Sequence, residues 1–252
     1  MTSNPQHGQT QPRILRTYTT LCQLRPTWGG SFILSLGLNP EGATLSVAAN
    51  IAGAVSLAID NDPTHLREVV RTGAVDFIVT TLDEAIRAMK NEVRKHSPLS
   101  VALNTDPIPT LAEVLERGLA PQLFATFLPQ RPRITEAATT LHSIGATLID
   151  LTESPEPPAG FQSAQTILTP YLKDGGWTLQ TFTFDTPSTL RAFDAKALDL
   201  MPPEDTLRRR WLESAPRLLQ RQRPPQRALW LTQSETQALT HVASIVENPV
   251  KP

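Results

Sequence analysis

Short, almost continuously apolar segments alternate with amphipathic ones along most of the chain. The apolar runs lie at residues 31–37, 54–60, 75–79, 99–104 and 123–128. Strands buried on both faces of a parallel sheet have this pattern, whereas half-exposed strands alternate between apolar and polar residues. Each interval between the runs accommodates a helix. The spacing therefore predicts right-handed βαβ units and a doubly wound, mostly parallel α/β sheet.

The amphipathic segments carry capping signals in their first turns. Asp62 precedes Pro63 at the start of one segment, and Thr-x-x-Glu capping boxes are predicted at Thr81 and again at Thr110. Gly118 is expected to end the helix that follows Thr110. These signals support the assignment of the amphipathic segments as helices.

The alternation continues beyond residue 130. The elements predicted there are a helix at 135–144, a strand at 147–151, an irregular loop at 153–160, a half-exposed strand at 177–184, a helix from Pro187, a basic helix at 206–220, a short strand at 229–231 and a last helix capped by Ser234. We therefore expect a disordered polar tail at 1–12, a first unit at 13–130 and a C-terminal α/β extension at 131–252. Whether the extension shares the sheet of the first unit is left open.

Composition narrows the class of protein. The 252 residues, 40% of them hydrophobic, suffice for one large α/β domain or a domain with an appendage. The net charge of −1 gives no bias toward nucleic acid or anionic membranes. The single cysteine, Cys22, excludes an internal disulfide and favours a reducing compartment. The longest weakly polar run, 45–59, is shorter than the roughly 20 residues of a membrane helix. We expect a cytoplasmic protein with no membrane partner.

Polar residues that follow the predicted strands form a candidate ligand site, because open α/β sheets bind ligands outside the carboxyl ends of their strands. An acid about 20 residues after a glycine turn binds ribose hydroxyls in nucleotide-binding folds, and Asp60 lies 18 residues after Gly42. The alternatives are that Asp60 is solvated and that Asp62 only caps a helix. Three carboxylates at one edge would suit a cation or a polyhydroxyl compound better than a phosphate, and a polar rim without a ligand remains the other possibility. The edge residues are Asn39, Glu41, Asp60, Asn61, Asn104, Thr105 and Asp106.

The segment from Phe32 to Ala58 resembles the first βαβ unit of the NAD domain of urocanase. A turn that reads Gly37-Leu38-Asn39-Pro40-Glu41-Gly42-Ala43 leads into a small-residue helix that ends in Ala52-Gly53-Ala54. Collinear matches follow at Asp62, Thr72-Gly73, Asp76, Leu82-Asp83-Glu84-Ala85, Pro98-Leu99-Ser100 and Leu115-Glu116-Arg117-Gly118. The resemblance covers residues 28–124. It implies a Rossmann-like domain, and in the family that domain holds the NAD with which urocanate is hydrated.

This chain departs from the family where NAD would be held. Of the loop glycines only Gly37 and Gly42 remain, although a dinucleotide loop needs glycines to turn tightly and to approach the pyrophosphate. Pro40 lacks one backbone donor. Glu41 adds a negative charge that would cost about 4 kcal/mol at ~4 Å from a phosphate and a dielectric constant of ~20. The polar loops of the family are replaced by residues 105–108 and 125–128.

We therefore expect a degenerate, urocanase-like pseudoenzyme that binds a small ligand or a partner and does not hydrate urocanate. Its catalytic residues are unknown, since no counterpart of the family's cysteine-bearing segment is present, and NAD is implied only by the resemblance. The alternatives are an enzyme that keeps a nucleotide in an altered loop and a structural or interaction protein; the resemblance implies a homodimer, as urocanases are. The ligand-binding candidates are Gly37, Asn39, Glu41, Gly42, Asp60, Asn61, Asn104, Thr105 and Asp106.

Two further groups of residues are candidates for chemistry. The histidines His65, His96, His142 and His241 lack metal-ligand spacing, so no metal site is predicted. The segment 208–227 contains seven arginines and Trp211, and Trp230 follows it closely. Trp211 belongs to an apolar stripe, so we expect it in the core, with the arginines solvated or paired with Glu204, Asp205 and Glu213. An anionic ligand or protein contact is the second possibility for this segment, and nucleic acid the least favoured.

Overall fold

The computed structural model describes residues 10–152 and 154–247. The strands are β1 (Phe32–Leu36), β2 (Val55–Asp60), β3 (Phe77–Val79), β4 (Leu99–Asn104), β5 (Leu123–Thr126), β6 (Thr147–Asp150), β7 (Gln162–Ser163), β8 (Thr178–Thr183) and β9 (Gln226–Leu231). The helices are α1 (Thr10–Leu24), α2 (Pro40–Ala52), α3 (Pro63–Thr72), α4 (Leu82–Lys95), α5 (Pro107–Glu116), α6 (Pro132–Ser143), α7 (Ala164–Asp174), α8 (Pro187–Leu200), α9 (Thr206–Leu218) and α10 (Gln233–Glu247). None of these described helices is long and apolar enough to cross a membrane.

Seven strands of the described chain form one parallel sheet in the order β3-β4-β2-β1-β5-β6-β7. The prediction of a doubly wound α/β sheet is confirmed. Strands β6 and β7 come from beyond residue 130 and extend this sheet, while β8 and β9 form a separate antiparallel pair. The extension thus contributes to both sheets, and a domain boundary near residue 130 stays a prediction.

Both faces of the large sheet are covered by helices. One core contains Leu45 of α2, Leu66 of α3 and Leu168 of α7, together with strand residues such as Ile33. The other core contains side chains of α4, α5 and α6 packed against Leu34 and its neighbours. Because successive strand residues enter opposite cores, the strands read as continuous apolar runs rather than as alternating ones.

The helix caps agree with the sequence at two of the predicted starts. Asp62 accepts hydrogen bonds from the backbone N–H groups of Thr64 and His65, and Thr81 forms the predicted capping box with Glu84. The amide hydrogen bonds to Asp62 lower its pKa.

Two other predicted starts are wrong. Helix α5 begins at Pro107, not at Thr110, because Asp106 caps it by accepting from Ile108 N at 3.0 Å; proline favours the first helical position and aspartate the cap. Helix α10 is capped by Thr232 rather than by Ser234, since Thr232 and Glu235 bond to each other's backbone.

Residues 10–12, which were expected in the disordered tail, belong to α1; residues 1–9 lie outside the described chain. Gln11 is only 1% exposed. Its amide donates to Gln226 O at 2.6 Å and accepts from Ala228 N at 2.8 Å, so it closes the edge of β9 that β8 does not cover. This polar residue is ordered because a strand edge satisfies both ends of its side chain.

Arginines of the basic segment attach the extension to the first unit. Arg210 donates to Ala52 O at the end of α2, and Arg221 donates to Val70 O near the end of α3. Cations are favourable at helix C-termini, where carbonyl groups lack partners. Trp211 is fully buried, as predicted.

Two arginines of this segment are themselves buried and ion-paired. Arg208 pairs with Asp205 and Glu235 and lies 4.1 Å from the centre of the Trp177 ring. Arg227 pairs with Asp194. Among the described residues, Glu204 and Glu213 form no ion pair with these arginines, although the sequence suggested it. Glu235 pairs with Arg208 and Asp194 pairs with Arg227, and both acids are distant in sequence from their partners.

Candidate functional site

The turn between β1 and α2 keeps the two glycines that the backbone itself requires. Gly37 has a φ of +91°, a conformation that favours glycine. A methyl group added to Gly42 would lie 2.1 Å from the carbonyl oxygen of Gly37, so α2 packs directly on the turn. In the Gly-x-Gly-x-x-Gly pattern of dinucleotide folds these are the first and third positions, and Asn39 occupies the middle one.

The N-terminus of α2 is capped from within the chain. Asn39 Oδ1 accepts from Gly42 N at 3.0 Å, and Pro40 has no N–H to offer. Leu38 N donates to the carboxylate of Asp60 at 2.5 Å. Donors that point at a pyrophosphate in dinucleotide folds are therefore satisfied by side chains here.

Phe127 lies in the crevice above this turn. The sheet order reverses between β1 and β5, which makes this the switch point at which open α/β sheets bind ligands. The Phe127 ring atom Cδ2 is 3.2 Å from the position of a Cβ on Gly42, and Phe127 Cβ is 3.3 Å from one on Gly37. An aromatic side chain thus packs on both glycines.

Asp60, the candidate ribose ligand, is 4% exposed and bonded on both oxygens. Its Oδ2 accepts from Leu38 N and contacts His65 Nδ1 at 2.8 Å, while its Oδ1 accepts from Asp62 N at 2.8 Å. The carboxylate fixes the turn and the start of α3. His65 therefore contacts the Asp60 oxygen to which a ribose hydroxyl would bond in a nucleotide complex.

The remaining predicted residues lie at the same edge of the sheet. Asn104 pairs in register with Asp60, and both Asn104 and Asn61 are exposed. Thr105 accepts from the hydroxyl of Thr110 at 2.9 Å. Asp106 caps α5, so its carboxylate is engaged, as that of Asp60 is. The described residues contain no group of three His, Cys, Asp or Glu side chains placed to hold a metal ion.

A cleft of about 1140 Å³ lies beside the turn and was not predicted. Of the predicted candidates only Glu41 lines it. The described lining residues come from α1 (Arg13, Arg16, Thr17, Thr20), from α2 (Glu41, Thr44), from the β6–β7 connection (Leu151, Thr152, Ser154, Pro155, Pro157, Phe161) and from β7 and α7 (Gln162, Ser163, Ala164, Gln165, Thr166, Ile167, Leu168). The wall thus combines residues from α1 and α2, near the start of the described chain, with residues of the β6–β7 connection and α7, more than 100 positions later.

The charges in the cleft are mainly positive. Arg13 NH1 lies 3.6 Å from Glu41 Oε1, and Arg16 NH2 donates to Gln165 Oε1 at 2.7 Å. Of the three carboxylates expected at the sheet edge, Glu41 lines this cleft, whereas Asp60 and Asp106 accept hydrogen bonds from backbone N–H groups. Two basic residues three apart at a helix start were the available sequence signal, but they adjoin the segment that was expected to be a tail.

Comparison with known proteins finds a family match in the N-terminal half of the chain. Residues 13–127 match the family model described as the urocanase Rossmann-like domain. Among solved structures, a short chain alcohol dehydrogenase from E. coli CFT073, complexed with NADH, is 13% identical with a TM-score of 0.36, covering 66% of this chain and 47% of its own. The alcohol dehydrogenase TADH from Thermus sp. ATN1 is 17% identical with a TM-score of 0.35, covering 69% and 48%. The chain spans about half the length of these dehydrogenases.

Proposed function

Residues 13–127 match the urocanase Rossmann-like domain, and from that premise we propose that the chain binds a small molecule in its cleft, without NAD and without hydrating urocanate. The observation that carries the proposal is the start of α2, where Asn39 already accepts the hydrogen bond from Gly42 N. A second copy of the chain as a dimer partner, expected from the resemblance, remains part of the proposal.

The residues at the glycine turn do not fit NAD. A dinucleotide would have to displace the Asn39 cap, place its phosphates near Glu41 and move the ring of Phe127 off Gly42. Its ribose would also compete with His65 for Asp60. Each contact belongs to the folded chain, so every displacement opposes binding.

The cleft supports small-molecule binding by size and by chemistry. Sites for small molecules have volumes of roughly 300–1,000 Å³ and combine apolar walls with a few convergent polar groups. Here Leu151 and Phe161 supply apolar surface, and Arg13, Arg16 and Thr152 supply polar groups. The cleft also adjoins the carboxyl ends of the strands, where open α/β sheets bind ligands.

The absence of bound NAD is tested on the purified full chain. Denaturation followed by absorbance at the nicotinamide wavelengths and mass spectrometry should release no stoichiometric NAD, and urocanate should not be consumed in a spectrophotometric assay. Stoichiometric NAD, or hydration of urocanate, would refute the proposal.

Substitutions that restore a glycine-rich turn test whether the present turn residues prevent NAD binding. We expect Asn39→Gly, Pro40→Gly and Glu41→Gly, combined with Phe127→Thr, to create measurable NAD binding by calorimetry in a variant that circular dichroism shows to be folded. The control changes Phe127 alone. If the folded combined variant binds no more NAD than the parent, the turn is not the obstacle.

Ligand binding in the cleft is tested with a small-molecule extract. The full chain is incubated with the extract and freed of unbound compounds by gel filtration, and the retained compounds are identified by mass spectrometry. Ala164→Trp places a large side chain at the cleft wall and should abolish retention, whereas Ala112→Trp, at an exposed site on α5, should not. Failure to retain any compound in an Ala164-dependent way would refute the cleft as the binding site.

A further inference from the structure

The two arginines of the cleft have unused hydrogen-bonding capacity among the described residues. A guanidinium group carries five N–H donors in a planar fork. Arg16 makes one hydrogen bond, to Gln165. Arg13 faces Glu41 at 3.6 Å, beyond the usual distance of an N–H···O bond. Both groups therefore have donors to offer to an acceptor in the cleft.

The position of Arg13 opposes the electrostatics of its own helix. The N-terminus of a helix carries a partial positive charge, so a cation in the first turn is unfavourable. Arg13 lies in the first turn of α1, which has no acidic residue there. Helix α4 shows the favourable arrangement, with Asp83 and Glu84 in its first turn and Arg94 and Lys95 in its last. A residue placed against this preference is expected at a functional site.

Arg16 adds a second positive charge beside Arg13. It follows Arg13 by three residues, a spacing that places both on one side of α1, where like charges repel. The start of α7 also lines the cleft, and there Ser163 already accepts the hydrogen bond from Gln165 N. Among the described lining residues, Glu41 is the carboxylate that opposes these charges, so two arginines face one acid.

From this arrangement we infer that the cleft takes a small organic anion, a carboxylate or a phosphate monoester, held by Arg13 and Arg16. This inference rests on the proposed function. The anion lies between α1 and α7 and does not occupy the glycine turn, where Asn39 caps α2. A negative group there neutralises the repulsion between the arginines and pairs with their free donors.

Gluconate and sorbitol form a matched pair of probes, because both carry a chain of hydroxyls and only gluconate is an anion. Inorganic phosphate is the third probe. Each is titrated into the full chain up to about 10 mM, ten times the Kd of a millimolar site, and followed by calorimetry and NMR. We expect saturable binding of gluconate, of phosphate or of both, and none of sorbitol. The preference between the two anions distinguishes a carboxylate from a phosphate ligand.

Arginine variants locate the binding. Arg16→Gln and Arg13→Gln should each raise the Kd of the anion about tenfold or more, the effect of losing a charge-assisted hydrogen bond. Arg87→Gln, at an exposed position of α4, is the matched control and should leave the Kd unchanged. Circular dichroism confirms that each variant is folded.

The anion assignment is overturned if neither anion binds saturably, if sorbitol binds as well as gluconate, or if both arginine variants bind like the parent. The proposed function fails separately. If the extract experiment retains a neutral compound that Ala164→Trp abolishes, the cleft still binds a ligand and only the anion assignment is lost.

Discussion

Gly42→Ala tests whether the close approach of α2 to the turn explains this glycine. In a helix with free space, alanine is favoured over glycine by about 1 kcal/mol. Here the new methyl group would lie 2.1 Å from Gly37 O and 2.9 Å from Gly37 C, and both are backbone atoms that no rotamer change can move. Relief requires α2 to shift away from β1. Overpacking of this kind costs about 3 kcal/mol at the upper end of its usual range.

The net loss of unfolding free energy is therefore about 2 kcal/mol, which lowers Tm by roughly 4–8 °C in a chain of this size. Urea denaturation followed by circular dichroism measures it. Gly118→Ala is the comparison, because its added methyl group meets nothing within 4 Å although its φ is +66°. This variant should lose only about 1 kcal/mol of unfolding free energy, the cost of placing alanine in a left-handed conformation. A neutral or stabilising Gly42→Ala would refute the close-packing argument.

Three further predictions concern buried groups. Asp194→Ala should lower the unfolding free energy in urea by about 3–5 kcal/mol, because it leaves Arg227, 1% exposed, without its partner; a loss under about 1 kcal/mol would contradict this. Burial raises the pKa of Cys22 to about 11, so iodoacetamide at pH 8 should alkylate the native chain far more slowly than the urea-unfolded chain, and equal rates would be the contrary result. Burial raises the pKa of Glu235, but hydrogen bonds from Arg208 and Thr232 outweigh it and hold the pKa below its usual range. The stability that this group contributes is present above the ordinary glutamate pKa and is lost as pH falls through the lowered value. Glu235→Gln should flatten the acid side of the stability profile, and an unchanged profile would exclude this role.

The large sheet was predictable because its strands are buried on both faces. Strand β2 was expected at 54–60 and lies at Val55–Asp60. Strand β9 was expected only at 229–231 but begins at Gln226. Its first residues are polar and look like a loop. They are buried because Arg227 pairs with Asp194, 33 positions away, which no local pattern reveals.

The site was less predictable than the sheet. Polar residues at the carboxyl ends of parallel strands, such as Asp60 of β2 and Asn104 of β4, do meet at one edge of the sheet. Their hydrogen bonds could not be foreseen, because Leu38 and His65 reach Asp60 only through the folded turn. The cleft combines α1 with α7, and the contact between Arg16 and Gln165 spans 149 positions.

The retained glycines therefore say little about a cofactor. Gly37 and Gly42 are required by the turn and by the packing of α2 whether or not a dinucleotide is present. The middle position of the pattern is different, because a glycine there serves the ligand's approach. Once Asn39 occupies it, the side chain supplies the acceptor that a phosphate would have supplied, and the ring of Phe127 fills the adjacent space. The fold of the turn is thus satisfied by side chains of the chain itself, as the proposed function requires. Under the proposed function, the residue at this middle position is therefore where the turn of this chain departs from the dinucleotide pattern.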